Sequence, residues 1–106
     1  MKERHNDRSS WVQLKENRLG AMSASERAEY DRAFAEAKLA ADVGERIHDA
    51  REAAGLSQRE LARHMGTSQA AIDRLESGGV GATLTTLQRV ATALGLEVNV
   101  ELRPSA

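Results

Sequence analysis

The sequence contains no cysteine, a single proline and one residue each of tryptophan, tyrosine and phenylalanine in 106 residues. The lack of cysteine excludes disulfides, thiol chemistry and cysteine-ligated metal sites. Because proline interrupts helices, the one proline, Pro104, leaves almost the whole chain free to be helical. No apolar run approaches the ~20 residues that a membrane helix needs. Residues 1–10 are polar and mixed in charge, so we do not expect them to act as a signal peptide.

Charge of either sign is not in excess, since 15 basic residues face 16 acidic residues and the net charge is −1. This balance excludes a strongly basic nucleic-acid coat and an acidic tail. Hydrophobic residues make up 41% of the chain and charged residues 29%, which is typical of a globular protein. With frequent alanine, the best helix former, the composition predicts a mainly α-helical, cytoplasmic protein.

Helix starts are indicated by capping boxes, in which a Ser is followed three residues later by Glu or Gln. Three such boxes begin at Ser10, Ser23 and Ser57. We expect residues 1–9 to be disordered, a short helix over residues 11–19, and a second helix from residue 24 with Tyr30 and Phe34 in the core. Gly44 lowers helix propensity, so a break near residues 42–44 is predicted before the helix resumes.

Residues 58–77 have the pattern of two short helices joined by a tight turn. Apolar anchors recur on one face of each helix, a small Ala62 permits close approach, and Gly66 tolerates a left-handed turn. The anchors are Leu61, Met65, Ile72 and Leu75. These offsets predict a helix-turn-helix, followed by a last apolar helix that ends at Gly95.

The period then changes from helical to alternating. Four apolar residues alternate with polar ones and predict a half-buried strand: Leu96, Val98, Val100 and Leu102. No second strand is predicted, so the unpaired edge favours pairing with the same strand of a second subunit. The alternative is that the strand docks on its own helices and its edge stays in water.

The stretch GLSQRELARHMGTSQAAIDRLESG resembles the helix-turn-helix domain of phage-repressor-like (XRE) regulators, over roughly residues 42–95. The closing stretch ATLTTLQRVATALGLEVNVEL is similar to the end of HigA and HipB antitoxins. Residues 11–41 resemble the N-terminal extension of HigA-type antitoxins. The resemblance implies a phage-repressor-like fold in three parts: a partner-binding extension over residues 1–41, a DNA-binding domain over residues 42–95, and a dimerisation strand and tail over residues 96–106.

The resemblance also implies site residues. The second helix of the helix-turn-helix would enter the major groove of DNA. There Gln69 can hydrogen-bond to adenine, Arg74 can hydrogen-bond to guanine, and Ala70 can contact a thymine methyl group. The implied DNA contacts are Gln58, Arg59, Thr67, Ser68, Gln69, Ala70, Arg74 and Ser77. The implied partner contacts are Trp11, Leu14, Arg18 and Leu19, and the implied dimer contacts are the four residues of the alternating strand.

The function implied is that of an antitoxin that neutralises a HigB/RelE-like mRNA endonuclease and represses its own operon from a palindromic operator. A stand-alone XRE-family regulator and a protein-interaction adaptor are the alternatives. Between residues 58 and 78 three Arg face two Glu and one Asp, a balance of zero that predicts weak non-specific DNA binding. No catalytic constellation, metal site or cofactor site is predicted.

Overall fold

A computed structural model describes residues 3–105, with the side chains of residue 10 and of residues 12–105. Its five helices are α1 (Glu3–Ala21), α2 (Ala24–Ala53), α3 (Gln58–Met65), α4 (Gln69–Gly78) and α5 (Leu84–Leu94). The mainly α-helical fold class is therefore confirmed. Between residues 3 and 105 no strand is present in the single chain, so pairing of residues 96–102 across a dimer stays a prediction. Within the same residues, no helix is both long and apolar enough to cross a membrane.

The chain divides into two compact units, the first ending at Glu36 and the second beginning at Ala37. The sequence predicted a boundary after residue 41, five residues later. In the first unit, α1 begins at Glu3, whereas the sequence predicted disorder up to residue 9 and a helix from residue 11. Residues 1 and 2 of that tip lie outside the described residues.

The predicted capping box at Ser10 is wrong because Ser10 lies inside α1. Residues 1–9 contain neither glycine nor proline, so no helix-breaking residue stops α1 from extending back beyond Ser10. The box at Ser23 is confirmed: its hydroxyl accepts from the Glu26 amide at 3.2 Å, and its own amide donates to the Glu26 carboxylate at 3.1 Å. Phe34 stacks on Tyr30 with ring centroids 6.5 Å apart. It is nevertheless exposed, so its predicted place in the core is wrong.

The hydrophobic core of the second unit lies where α3, α4 and α5 meet. The four predicted anchors of the helix-turn-helix are all buried, and Leu61 and Ile72 are the largest side chains that are fully enclosed. Ile47 from α2 and Val90 from α5 complete the cluster. Because α3 and α4 each contribute two of the four anchors, and α2 and α5 close the cluster around them, this core fixes how α4 is presented.

The predicted break near residues 42–44 is wrong, since α2 runs without interruption to Ala53. Gly44 is buried, and a Cβ atom there would lie 2.6 Å from the Leu75 carbonyl oxygen and 2.8 Å from that of Glu76. Gly79, with a φ of 71°, ends α4 against the Ala40 backbone. Gly44 therefore permits contact between the backbones of α2 and α4, and this packing outweighs its low helix propensity.

We predict that Gly44→Ala destabilises the protein by about 1–3 kcal/mol, because the added methyl group overfills a contact between two backbones. In an open helical position the same change stabilises by up to ~1 kcal/mol. Gly78→Ala is the matched control, since nothing lies within 4 Å of its added Cβ. Urea unfolding of both variants measures the difference. A Gly44→Ala protein as stable as the parent would contradict the close approach.

Candidate nucleic-acid interface

Helix α4 presents a continuous exposed face opposite its buried face. Its first turn is capped by Ser68, whose side chain accepts from the Ala71 amide at 3.1 Å. The exposed positions are Gln69, Ala70, Asp73, Arg74 and Ser77. These positions repeat every three to four residues, so they lie on one side of the helix. The predicted amide and guanidinium therefore both lie on this exposed face, at its two edges and about 1.4 turns apart along the helix.

The turn before α4 has the geometry predicted from Gly66. This residue adopts a φ of 67°, and its amide donates to the carbonyls of Ala62 and Arg63 at the end of α3. The Thr67 amide also donates to the Ala62 carbonyl, at 2.9 Å. The capping box at the start of α3 is confirmed, with the Ser57 hydroxyl accepting from the Glu60 amide at 3.0 Å. Helix α3 is thus capped at both ends, and α4 is capped at its N-terminus.

A buried ion pair joins α2 to α4. The Arg51 guanidinium donates to both carboxylate oxygens of Glu76, from Nε at 2.6 Å and from Nη2 at 3.0 Å. Arg51 is 7% exposed and Glu76 is 9% exposed. The remaining nitrogen, Nη1, donates to the Leu56 carbonyl at 2.7 Å. One side chain therefore ties together α2, α4 and the connection that leads into α3.

The same carboxylate has two further neighbours. Nδ1 of His48 lies 2.9 Å from Glu76 Oε1, and Gln58 Nε2 donates to that oxygen at 3.1 Å. Burial alone would raise the pKa of Glu76, but hydrogen bonds from Arg51, His48 and Gln58 outweigh it and hold the pKa below its ordinary value. The hydrogen bond to Glu76 raises the pKa of His48, more than burial lowers it. Glu76 is thus ionised at neutral pH.

The charge balance derived from the sequence changes with this arrangement. The sequence count placed Glu76 among the acidic groups facing a duplex, whereas the structure buries it against Arg51, outside the counted stretch. Without Glu76, three Arg face Glu60 and Asp73 over residues 58–78, a balance of +1. The sequence did contain a signal for this pair. Arg51 follows Ile47 by four residues in α2, and Glu76 follows Ile72 by four residues in α4, so each charged residue falls on the apolar face of its helix.

The other predicted DNA contacts occupy different surroundings. Gln58 is half-buried, and its amide nitrogen also approaches the Asp73 carboxylate at 3.4 Å. Ser77 donates its hydroxyl to the Asp73 carbonyl at 2.7 Å. Arg59 is exposed on α3, and Thr67 is half-buried in the turn. Roles for these residues in DNA binding stay predictions.

The predicted partner contacts belong to the first unit. Leu14, Arg18 and Leu19 line a groove of about 560 Å³ whose surface is mostly apolar. The other lining residues are Lys15, Asn17 and Tyr30. The side chain of Trp11, the remaining predicted contact, lies outside the described residues. Three of the four residues are thus brought to one groove, and their role in binding a partner stays a prediction.

Comparison with known proteins gives one family. A family model described as helix-turn-helix matches residues 47–100, just over half of the chain. The matched range contains α3, α4 and α5 and both partners of the buried ion pair. None of the curated proteins matches the chain.

We predict that Arg51→Met lowers the free energy of unfolding by about 3–5 kcal/mol, because it leaves the buried Glu76 carboxylate without its cation. Arg32→Met is the matched control, since Arg32 is an exposed residue of the same helix and its replacement should change stability by no more than ~0.5 kcal/mol. Thermal and urea unfolding provide the comparison. Equal losses in the two variants would show that the ion pair does not hold α4 in place.

Proposed function

The chain belongs to the helix-turn-helix family and is an XRE-type DNA-binding transcriptional regulator, and we propose that it binds a palindromic operator as a dimer. The observation that carries this proposal is the exposed face of α4, with Gln69 and Ala70 in the capped first turn and Arg74 in the second turn. A helix so presented fits the major groove, which is wide enough to admit it.

In the proposed complex the first two turns of α4 read base edges. Gln69 bonds adenine through its amide, Arg74 bonds guanine O6 and N7 through two guanidinium nitrogens, and Ala70 contacts a thymine methyl. Phosphate contacts come from the residues around this face: Arg59, Thr67, Ser68 and Ser77. At Gln58 the side-chain amide already donates to carboxylates, so we assign its phosphate contact to the backbone amide at the start of α3.

The first unit serves a second role in this proposal, which is to bind a protein. The apolar groove lined by Leu14, Leu19 and Tyr30 supports it, and aromatic residues, of which Trp11 is the one nearby in the sequence, often anchor interfaces of this kind. The resemblance of residues 11–41 to HigA-type extensions suggests a HigB/RelE-like mRNA endonuclease as the partner. The protein would then be an antitoxin that represses its own operon. A stand-alone regulator is the alternative, and the Leu14→Asp variant distinguishes the two.

We predict that Arg74→Ala weakens specific operator binding by about 1–3 kcal/mol and relaxes sequence preference, because a bidentate contact to guanine is lost. Footprinting on the promoter upstream of the gene locates the operator, and fluorescence anisotropy then compares it with a scrambled duplex. Arg32→Ala, in the first unit, removes the same charge far along the sequence from α4 and should leave the affinity ratio unchanged. Unchanged operator affinity in Arg74→Ala would remove Arg74 from the site.

We predict that Leu14→Asp abolishes binding of the partner while operator binding persists. Leu14 is 62% exposed and lines the groove, and Val12→Asp is the control because Val12 is 50% exposed and lies outside it. The partner is the protein that co-purifies stoichiometrically from the native host. Expressed alone, it should stop growth, and co-expression of the parent or of Val12→Asp should restore growth. A harmless partner, or rescue by Leu14→Asp, would favour the stand-alone regulator.

A further inference from the structure

The segment after α5 presents a row of unpaired backbone groups. The Leu96 amide donates to the Ala91 carbonyl at 2.8 Å, and beyond it, as far as residue 105, no backbone group bonds to another backbone group of the described chain. From Val98 onward its apolar side chains become more exposed, with Val98 half-buried, Val100 66% exposed and Leu102 95% exposed. An alternating segment with free amides and carbonyls is a template for a second strand.

A groove of about 570 Å³ lies beside this segment. Leu39, Val43 and Ile47 of α2 form one part of its lining, and Leu87 of α5 forms another. Val98 contributes from the segment itself. Since Leu39 is largely exposed at this groove, additional apolar side chains placed here would leave water at little steric cost.

Resting on the dimer of the proposed function, we propose that this groove receives residues 98–102 of a second copy, paired antiparallel about Val100. In this register Val100 lies opposite its own counterpart. Val98 lies opposite Leu102, and Glu97 lies opposite Arg103. The most exposed apolar side chain of each copy, Leu102, is thereby placed beside the half-buried Val98 of the other copy, over its groove.

Side-chain alternation limits the possible registers. Only pairings whose two residue numbers add to an even number keep apolar residues opposite apolar residues, because side chains alternate between the two faces. A two-fold axis at Glu101 would place that carboxylate against itself. An axis at Val98 would run the partner strand into Gly95, which caps α5. The axis therefore lies at Asn99 or at Val100.

Charge decides between these two. With the axis at Asn99, Glu97 lies opposite Glu101 twice, and like charges opposite each other destabilise a sheet. With the axis at Val100, Glu97 lies opposite Arg103 twice, and Glu101 lies opposite the neutral Asn99. Opposite charges at such pairs stabilise it. Charge complementarity thus selects a second copy in the Val100-centred register.

Pro104 agrees with this register. It falls opposite Leu96, and because proline has no amide hydrogen it fits a pair that exchanges no hydrogen bonds. Hydrogen-bonded and non-hydrogen-bonded pairs alternate along antiparallel strands. The Val100 pair at the axis is four residues from Pro104, so it is also a non-hydrogen-bonded pair. Such pairs have Cα atoms about 4.5 Å apart, a separation that a disulfide can span.

Single cysteine variants test the register, and the chain offers a clean background because it contains no cysteine. After mild oxidation, Val100→Cys should form a disulfide-linked dimer on a non-reducing gel. Asn99→Cys should remain largely unlinked, because in this register its two copies are about 8 Å apart, beyond the reach of a disulfide. Linking of Asn99→Cys but not of Val100→Cys would overturn the register and leave the dimer intact. A parent protein that sediments as a monomer would overturn the dimer itself.

A charge reversal gives an independent test with opposite signs for the two registers. Glu97→Arg should weaken dimerisation roughly three- to tenfold, because two cations then face each other at both ends of the ribbon. Adding Arg103→Glu to the same chain should restore the dimer dissociation constant measured by sedimentation. In the Asn99-centred register the single change would instead tighten the dimer by creating two pairs with Glu101, and that result would overturn the proposal.

Discussion

The Arg51 guanidinium is the point at which α2, α4 and the connection into α3 are held together. Removing two charged groups from water costs several kcal/mol, and only good geometry with every donor used offsets that cost. Here the fork of Arg51 meets both oxygens of Glu76, and its third nitrogen reaches a backbone carbonyl. The pair contributes orientation more than net stability: with Glu76 directed inward, the position two residues before it, Arg74, is turned outward.

A second constraint on α4 comes from backbone contact rather than from charge. Gly44 and Gly79 allow α2 and the end of α4 to approach more closely than any side chain permits. The ion pair therefore sets the rotation of α4 about its own axis, and the glycine contact sets its separation from α2. Together with the buried anchors Ile72 and Leu75, they leave the exposed face of α4, which we propose reads bases, little freedom before any DNA is bound. Such preorganisation lowers the ordering cost of binding.

Local chemistry in the sequence was enough to predict α3, its turn and α4, because caps, the left-handed Gly66 and the spacing of the anchors all act within a few residues. It was not enough for Gly44, whose low helix propensity argues for a break unless the approaching carbonyls of Leu75 and Glu76 are known. The role of Glu76 was missed for a similar reason, since its partner Arg51 is 25 residues away. Both errors concern pairs that meet only after the helices pack, and residue spacing alone does not report such pairs.

The small net charge of residues 58–78 makes DNA binding depend on dimer formation through the segment after α5. With Glu76 internal, residues 58–78 carry a balance of +1, so in the proposed complex each copy would neutralise few phosphates and gain little non-specific affinity. In the proposed complex only three side chains of one α4 helix contact bases, and Ala70 among them offers only a methyl contact. Linking two copies makes the second contact effectively intramolecular and can raise affinity by orders of magnitude without any new contact. In the proposed assembly, the pairing of residues 96–104 therefore determines whether a weakly charged reading helix can hold an operator at all.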